Sequence, residues 1–321
     1  MPSEKSQQEK TTLHPRNKNR ERYDLGALTA AVPELLQYVK PNKFGDDSVD
    51  FSDPVAVKLL NKALLSHYYG IQHWEFPAEN LVPPIPGRAD YIHYMADVLI
   101  ESNFGRVLPG TKITVLDVGT GASCIYPIIG VTEYGWNFIA ADIDVRSIAS
   151  AQHIVDSNAV LKDKIHCRLQ SNSKQFFQGI IGAEERVDVT VCNPPFHASA
   201  EDAQKGTARK VQNLSGKRTK TPDLNFAGIS NELIYNGGEH TFINDMVFES
   251  RRFAKNVFWF STLVSKQSNL KGIYKSLDTV KATQIKTIAM GTGNKSTRIV
   301  AWTFLDKEAQ KEWRETRWKT K

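Results

Sequence analysis

The stretch Ile113-Thr114-Val115-Leu116-Asp117-Val118-Gly119-Thr120-Gly121-Ala122-Ser123 decides the fold. Its first six residues form a short, nearly continuous apolar run, the pattern of a strand buried on both faces. The glycines that follow make a small-residue turn where backbone can approach a ligand closely. Downstream the same grammar repeats. Trp136–Ala141 reads as a second strand ending in Asp142-Ile143-Asp144, and Val145–Asn158 as a helix with Ile148, Ala151 and Val155 inward. Ile165–Leu169, Val187–Cys192 and Asn256–Val264 read as further strands, with helices over Thr241–Ala254 and Lys266–Leu277. Thr283–Met290 and Arg298–Leu305 close the series, joined by Gly291-Thr292-Gly293-Asn294, a link short enough for an antiparallel pair. Strands alternating with helices imply a doubly wound α/β sheet.

Upstream the periodicity is helical. Leu25, Leu28, Val32, Leu35, Leu36 and Val39 recur at helical spacing, with Pro33 dividing two short helices. Asp53-Pro54 has the form of an N-cap with proline at the first helical position. It opens a helix through Val57, Leu60, Ala63, Leu64 and Tyr68. A Pro-rich connection over 77–87 leads to a helix over Arg88–Phe104. Residues 13–108 therefore read as a mainly helical N-terminal module and 109–306 as the α/β domain. Residues 1–12 are polar and expected to be disordered. The basic tail 307–321, with Trp313 and Trp318, is expected to be a terminal helix or docked arm.

The chain has 321 residues, 40% hydrophobic, with a formal net charge of +6. Its positive charge is clustered. Between Lys205 and Lys220 lie Lys205, Arg209, Lys210, Lys217, Arg218 and Lys220 with no acidic residue, inside a connection over 197–240 that is long for a compact domain. The N-terminal arm carries Arg16, Lys18 and Arg20. Clusters of this kind are the footprint of phosphate binding. Cys124, Cys167 and Cys192 have no metal-like spacing and lie in or beside apolar runs, as buried thiols in a reducing compartment do. No apolar run approaches the roughly 20 residues of a membrane span. A cytoplasmic chain with no metal, no membrane contact and a monomeric state is expected.

Chemistry gathers at three strand ends. After the first, a dinucleotide pattern G-x-G-x-x-G would need glycine where Cys124 stands, which argues against a pyrophosphate clamp. After the second, Asp142 is placed to accept from two ribose hydroxyls. After the fourth comes Asn193-Pro194-Pro195-Phe196. The prolines stiffen the turn and remove two backbone donors. Asn193 offers an amide that can accept from an amine, and Phe196 a face for stacking. Alone, the tetrapeptide is equally a stiff loop after a strand. Taken in order with Asp117-Val118-Gly119-Thr120-Gly121 and Asp142, it resembles S-adenosylmethionine-dependent amino-methyltransferases. Relatives with N-P-P-[FY] act on adenine, on other base amines or on glutamine amides, so the motif leaves the acceptor open.

The N-terminal module narrows it. Leu13-His14-Pro15-Arg16-Asn17 and, above all, Pro84-Ile85-Pro86-Gly87-Arg88-Ala89-Asp90-Tyr91-Ile92-His93 resemble the bacterial 23S rRNA (adenine-N6)-methyltransferase F family. They are more distantly similar to the methyltransferase-like sixteen proteins. The resemblance covers residues 13–305 and implies a class I methyltransferase (Rossmann-like) fold with a seven-stranded sheet. It implies S-adenosylmethionine as cofactor, held by Arg88, Asp117, Gly119, Gly121, Ser123, Asp142, Ser173 and Asn193. Asn193, the carbonyl of Pro194, Pro195 and Phe196 would form the catalytic turn. Arg16, Lys18, Arg20, Arg209, Lys210, Lys217, Arg218 and Lys220 would bind RNA. The implied partner is 23S rRNA or a ribosomal assembly intermediate. A DNA adenine or protein glutamine methyltransferase, or a non-catalytic RNA-binding module, are the alternatives.

Overall fold

The structure is a computed structural model that describes residues 12–199, 201, 233–292 and 295–319. Residues 1–11, and with them the expectation of a disordered terminus, lie outside the described residues. The N-terminal module opens with α1 (Leu25–Ala31), whose N-cap Asp24 accepts from Ala27 N–H, and a 3-10 turn over Pro33–Tyr38. A two-stranded hairpin that the periodicity does not announce follows, β1 (Val39–Pro41) with β2 (Asp47–Val49). Helix α2 (Pro54–Tyr69) starts as expected: Asp53 accepts from the N–H groups of Val55 and Ala56, and Pro54 needs no partner for the donor it lacks. It stops at Gly70, whose φ of 69° suits glycine. Helix α3 (Ile85–Ser102) begins three residues before the expected start, on the two prolines flanking Ile85.

The large sheet takes β3 (Thr114–Val118), β4 (Asn137–Asp142), β5 (Ile165–Leu169), β6 (Val187–Cys192), β7 (Val257–Val264), β8 (Gln284–Thr292) and β9 (Lys295–Thr303) in the order β5-β4-β3-β6-β7-β9-β8. The first five are parallel, while β9 runs antiparallel between β7 and β8. Helices α4 (Ile125–Tyr134), α5 (Val145–Ser157), α6 (Gly238–Ser250) and α7 (Leu270–Thr279) cover its faces. Helices α6 and α7 lie close to their expected spans, with 3-10 turns at Arg251–Phe253 and Gln267–Asn269 taking up the differences. This is the seven-stranded sheet order that the resemblance implies.

Two cores hold it. One packs Leu28, Leu64, Ile92 and Met95 of the helical module against Val115, Val189 and Trp259 of the sheet. The other joins Phe177, Met246, Leu277 and Trp302 on the opposite face. The helical module therefore shares a core with the sheet. Residues past 306 pack too: α8 (Lys307–Trp313) continues into a π-turn over Arg314–Trp318, with Trp313 and Trp318 buried. Their indoles both donate to Asp188 Oδ1, at 2.8 and 2.7 Å. Among the described residues, no helix is long and apolar enough to cross a membrane.

Candidate active site

Register builds the site. Val118 is level with Ala141 on β4 and with Cys192 on β6. The next residues, Gly119, Asp142 and Asn193, thus leave three adjacent strands side by side at their C-terminal ends. The chain passes to one side of β3 for β4 and β5 and to the other for β6 and β7, which makes β3/β6 the topological switch point where open α/β sheets bind ligands.

The turn after β3 needs its glycines for their backbone. Gly119 and Gly121 have φ of 78° and 65°, a region that L side chains rarely adopt. A Cβ on Gly119 would meet nothing within 4 Å, so the space above it belongs to the ligand side. The N–H groups of Gly119 and Thr120 both donate to Ala141 O at 2.9 Å. Gly121 N–H donates to Asp142 Oδ2 at 2.8 Å, and Asp144 N–H to Asp142 Oδ1 at 2.9 Å. Each carboxylate oxygen is thereby oriented and keeps a lone pair for a further donor. Trp74, from the segment joining α2 and α3, donates its indole N–H to Ser123 O at 2.9 Å and fixes the end of the turn.

A cavity of about 920 Å³ opens here, lined by Arg88, Gly119, Gly121, Ser123, Asp142, Ser173, Asn193 and Pro195 among others. Arg88 Nη1 donates to Tyr126 OH at 3.0 Å, and the guanidinium carbon stands 5.5 Å from that ring's centre. Asn193 Oδ1 is buried and has no hydrogen-bond partner. Three expected site residues do not line the cavity. Pro194 and Phe196, on either side of Pro195, are not among the lining residues. Asp117 is fully buried behind the glycine turn, because alternation along β3 sends it to the face opposite Leu116 and Val118. Neither Asp117 oxygen finds a hydrogen-bond partner. Burial pushes its pKa up to about 7; the Asp142 charge adds to the rise, and the Arg88 charge opposes it.

Several lining residues carry no sequence signal of their own. Tyr126 orients Arg88. On the far wall, Phe242 packs edge-on against Phe176 and Tyr235, at 4.8 and 5.1 Å between ring centres, and Tyr235 OH donates to Asp245 Oδ2 at 2.9 Å. Tyr235 arrives through a narrow neck. His197 N–H donates to Leu233 O and Tyr235 N–H to His197 O, each at 3.0 Å, so the excursion that begins at Ala198 returns beside its own start.

The basic residues divide. Arg209, Lys210, Lys217, Arg218 and Lys220 lie outside the described residues. Arg16 is exposed but tied to the rest of the fold: Nη2 reaches Asp97 Oδ1 at 2.7 Å and His93 O at 2.9 Å, and Nε reaches Tyr134 OH at 2.9 Å. Lys18 pairs with Glu133 at 2.7 Å and donates to Tyr68 O at 3.0 Å. Arg20 is half-buried. The arm carrying them docks through His14 N–H and Asn17 Nδ2, both donating to Asp90 of α3. These cations are thus already engaged within the fold, a use that charge clustering alone does not disclose.

Comparison with known proteins gives this site its context. A family model described as RNA methyltransferase matches residues 7–306. The chain belongs to the RNA methyltransferase family. It is 54% identical over 311 residues to the ribosomal RNA large subunit methyltransferase F of Cytophaga hutchinsonii, covering 97% of this chain and 96% of that protein. The protein of the same name from Photobacterium profundum is 51% identical over 330 residues, with 98% of both chains covered. Among solved structures, the human METTL16 N-terminal domain in complex with SAH is similar, with a TM-score of 0.73 and 26% identity over 92% of this chain and 99% of that one. The METTL16 catalytic domain in complex with the MAT2A 3'UTR hairpin 1 has a TM-score of 0.75 at 27% identity, covering 92% and 96%. This RNA methyltransferase is S-adenosylmethionine-dependent.

Proposed function

We propose that the chain methylates the N6 amine of one adenosine in 23S rRNA, as a cytoplasmic monomer acting on the RNA or on a ribosomal assembly intermediate. The observation that carries this reading is Asn193 Oδ1, a buried acceptor without a partner at the rim of β6, beside the cavity that the glycine turn opens. The names of the two bacterial relatives support large-subunit rRNA as the substrate.

The residues fit the cofactor. Arg88 would meet its carboxylate, Asp142 its ribose hydroxyls, and Gly119, Gly121 and Ser123 its methionine portion, with Ser173 at the adenine end. Bound there, S-adenosylmethionine supplies a methyl group on a sulfonium that leaves readily. The adenine amine is a poor nucleophile because its lone pair is conjugated into the ring. Asn193 Oδ1 and the Pro194 carbonyl, each accepting one N–H, would rotate that lone pair out of conjugation and aim it. Alignment of this kind contributes on the order of several kcal/mol. The proton leaves after the nitrogen has become cationic, so no strong base is needed. The base must first leave its stack, at about a few kcal/mol, less in a loop or single strand.

Large-subunit RNA from a strain lacking this protein should accept labelled methyl groups from S-adenosylmethionine, and nucleoside mass spectrometry should find them as N6-methyladenosine. Label on another nucleoside, or only on protein, would overturn the reading.

A further inference from the structure

Three residues along α3 from Arg88 stands Tyr91, fully buried, with a hydroxyl that the chemistry above does not use. Two bonds converge on that hydroxyl: Ser261 Oγ lies at 2.8 Å, and Cys192 N–H donates to it at 3.2 Å. Cys192 is the residue immediately before Asn193.

The strand end explains why a side chain reaches in. β6 and β7 pair at Val187↔Val257 and Val189↔Trp259, yet β6 runs on to Cys192 and β7 to Val264. Past Val189, hydroxyls bridge the two strands. Ser261 N–H donates to Thr190 Oγ1 at 3.0 Å, and Ser261 Oγ donates to the Thr190 carbonyl. Proton directions then follow. The Ser261 proton is committed to a carbonyl, which only accepts, so Tyr91 must donate to Ser261, and the Tyr91 oxygen is left to accept from Cys192. Every group in the relay is satisfied in that one arrangement. Beyond Cys192, the Asn193 N–H is the last backbone donor before two prolines that have none.

We propose that Tyr91 is a positioning residue for methyl transfer: its hydroxyl takes the place of a strand partner at Cys192 and so sets the angle at which Asn193 meets the target amine. The proposal rests on Asn193 being the amine acceptor. It gives α3 two tasks on one face, since positions three apart on a helix are neighbours. Arg88 faces the cavity, Tyr91 holds the acceptor strand, and Tyr126 touches both, through the Arg88 hydrogen bond and an edge-on contact with Tyr91 at 5.4 Å. The Pro84–His93 block thereby connects directly to the strand end that carries Asn193.

The test is single-turnover transfer from labelled S-adenosylmethionine to large-subunit RNA of a strain lacking the protein, using the full chain. Tyr91→Phe keeps the ring and removes the hydroxyl. It should slow transfer on the order of 10- to 100-fold, the scale of a small misplacement of a reacting group. Cofactor affinity by calorimetry should be unchanged, and the slowing should vanish in an Asn193→Ala background measured at high enzyme concentration. Wild-type speed in Tyr91→Phe overturns the proposal. So does an equal slowing in both backgrounds, which marks general structural damage. If Tyr91→Phe does not fold, Ser261→Ala, which removes the partner of the Tyr91 proton, is judged by the same criteria. Wild-type speed in Asn193→Ala alone is a separate result: it removes the acceptor reading and this proposal with it.

Discussion

Asp188 should be the most sensitive stability position remote from the cavity. It is fully buried near the start of β6. Oδ1 accepts from the Trp313 and Trp318 indoles at 2.8 and 2.7 Å, and Oδ2 from Thr114 N–H at 2.7 Å and Arg317 Nη2 at 3.1 Å. Asp188→Ala strands two buried indole donors and a strand amide and breaks an ion pair. A buried donor left unpaired costs about 1–3 kcal/mol. Partial rehydration around the tail offsets some of this, leaving a loss of about 4 kcal/mol, or about 6 °C in melting temperature for a chain of this size. Asp188→Asn keeps an oxygen for the indoles but turns an amide N–H2 toward Thr114 and Arg317, so about half that loss is expected. Thermal unfolding by circular dichroism measures the shift, and limited trypsin digestion should show earlier cleavage after Lys307 and Lys311. Asp188 lies roughly 17 Å along the strand from Asn193, so methyl transfer in the cold should be unaffected. An Ala variant that melts with wild type and keeps its tail protected would refute the reasoning.

Three further outcomes are expected. Arg88→Ala should weaken cofactor binding about 10- to 100-fold, the worth of a charge-assisted hydrogen bond, with little change in rate at saturation; unchanged affinity would take Arg88 off the carboxylate. Asp117 ordinarily titrates at 3.8 but is pushed up to about 7 in the fold, so the folded chain keeps a proton that the unfolded chain releases between those values. Stability should therefore fall as pH rises through that window. Asp117→Asn should flatten the fall and melt higher than wild type above it, and identical pH profiles would contradict this. Replacing Lys217, Arg218 and Lys220 with Gln should weaken RNA binding and reduce its salt slope, whereas an unchanged slope would remove them from phosphate contact.

The α/β half was legible because parallel strands buried on both faces write themselves as apolar runs. Thr114–Val118 and Val187–Cys192 could be read that way, and the glycine turn and Asp142 mark where two of the strands end. The hairpin of Val39–Pro41 with Asp47–Val49 escaped because three-residue strands are too short to show alternation. The arm's cations were visible, but their partners were not: Asp97 and Glu133 lie more than 80 residues from Arg16 and Lys18. Asp188 read as one polar residue inside a strand, because the tryptophans that give it a purpose are 125 and 130 positions away. Tyr91 reads only as one residue of the Pro84–His93 block, since its hydroxyl bonds to a strand 101 residues on.

The neck at His197, Leu233 and Tyr235 has a consequence for how such enzymes diversify. Its two hydrogen bonds hold the ends of residues 198–232 together whatever lies between them. Doubling the length of a closed loop adds only about 0.6 kcal/mol of closure entropy. Changes of length between the two ends therefore cost little in closure entropy. A graft between relatives at Ala198 and Leu233 is the natural place to exchange that segment while keeping the neck, and with it the Tyr235 wall of the cavity.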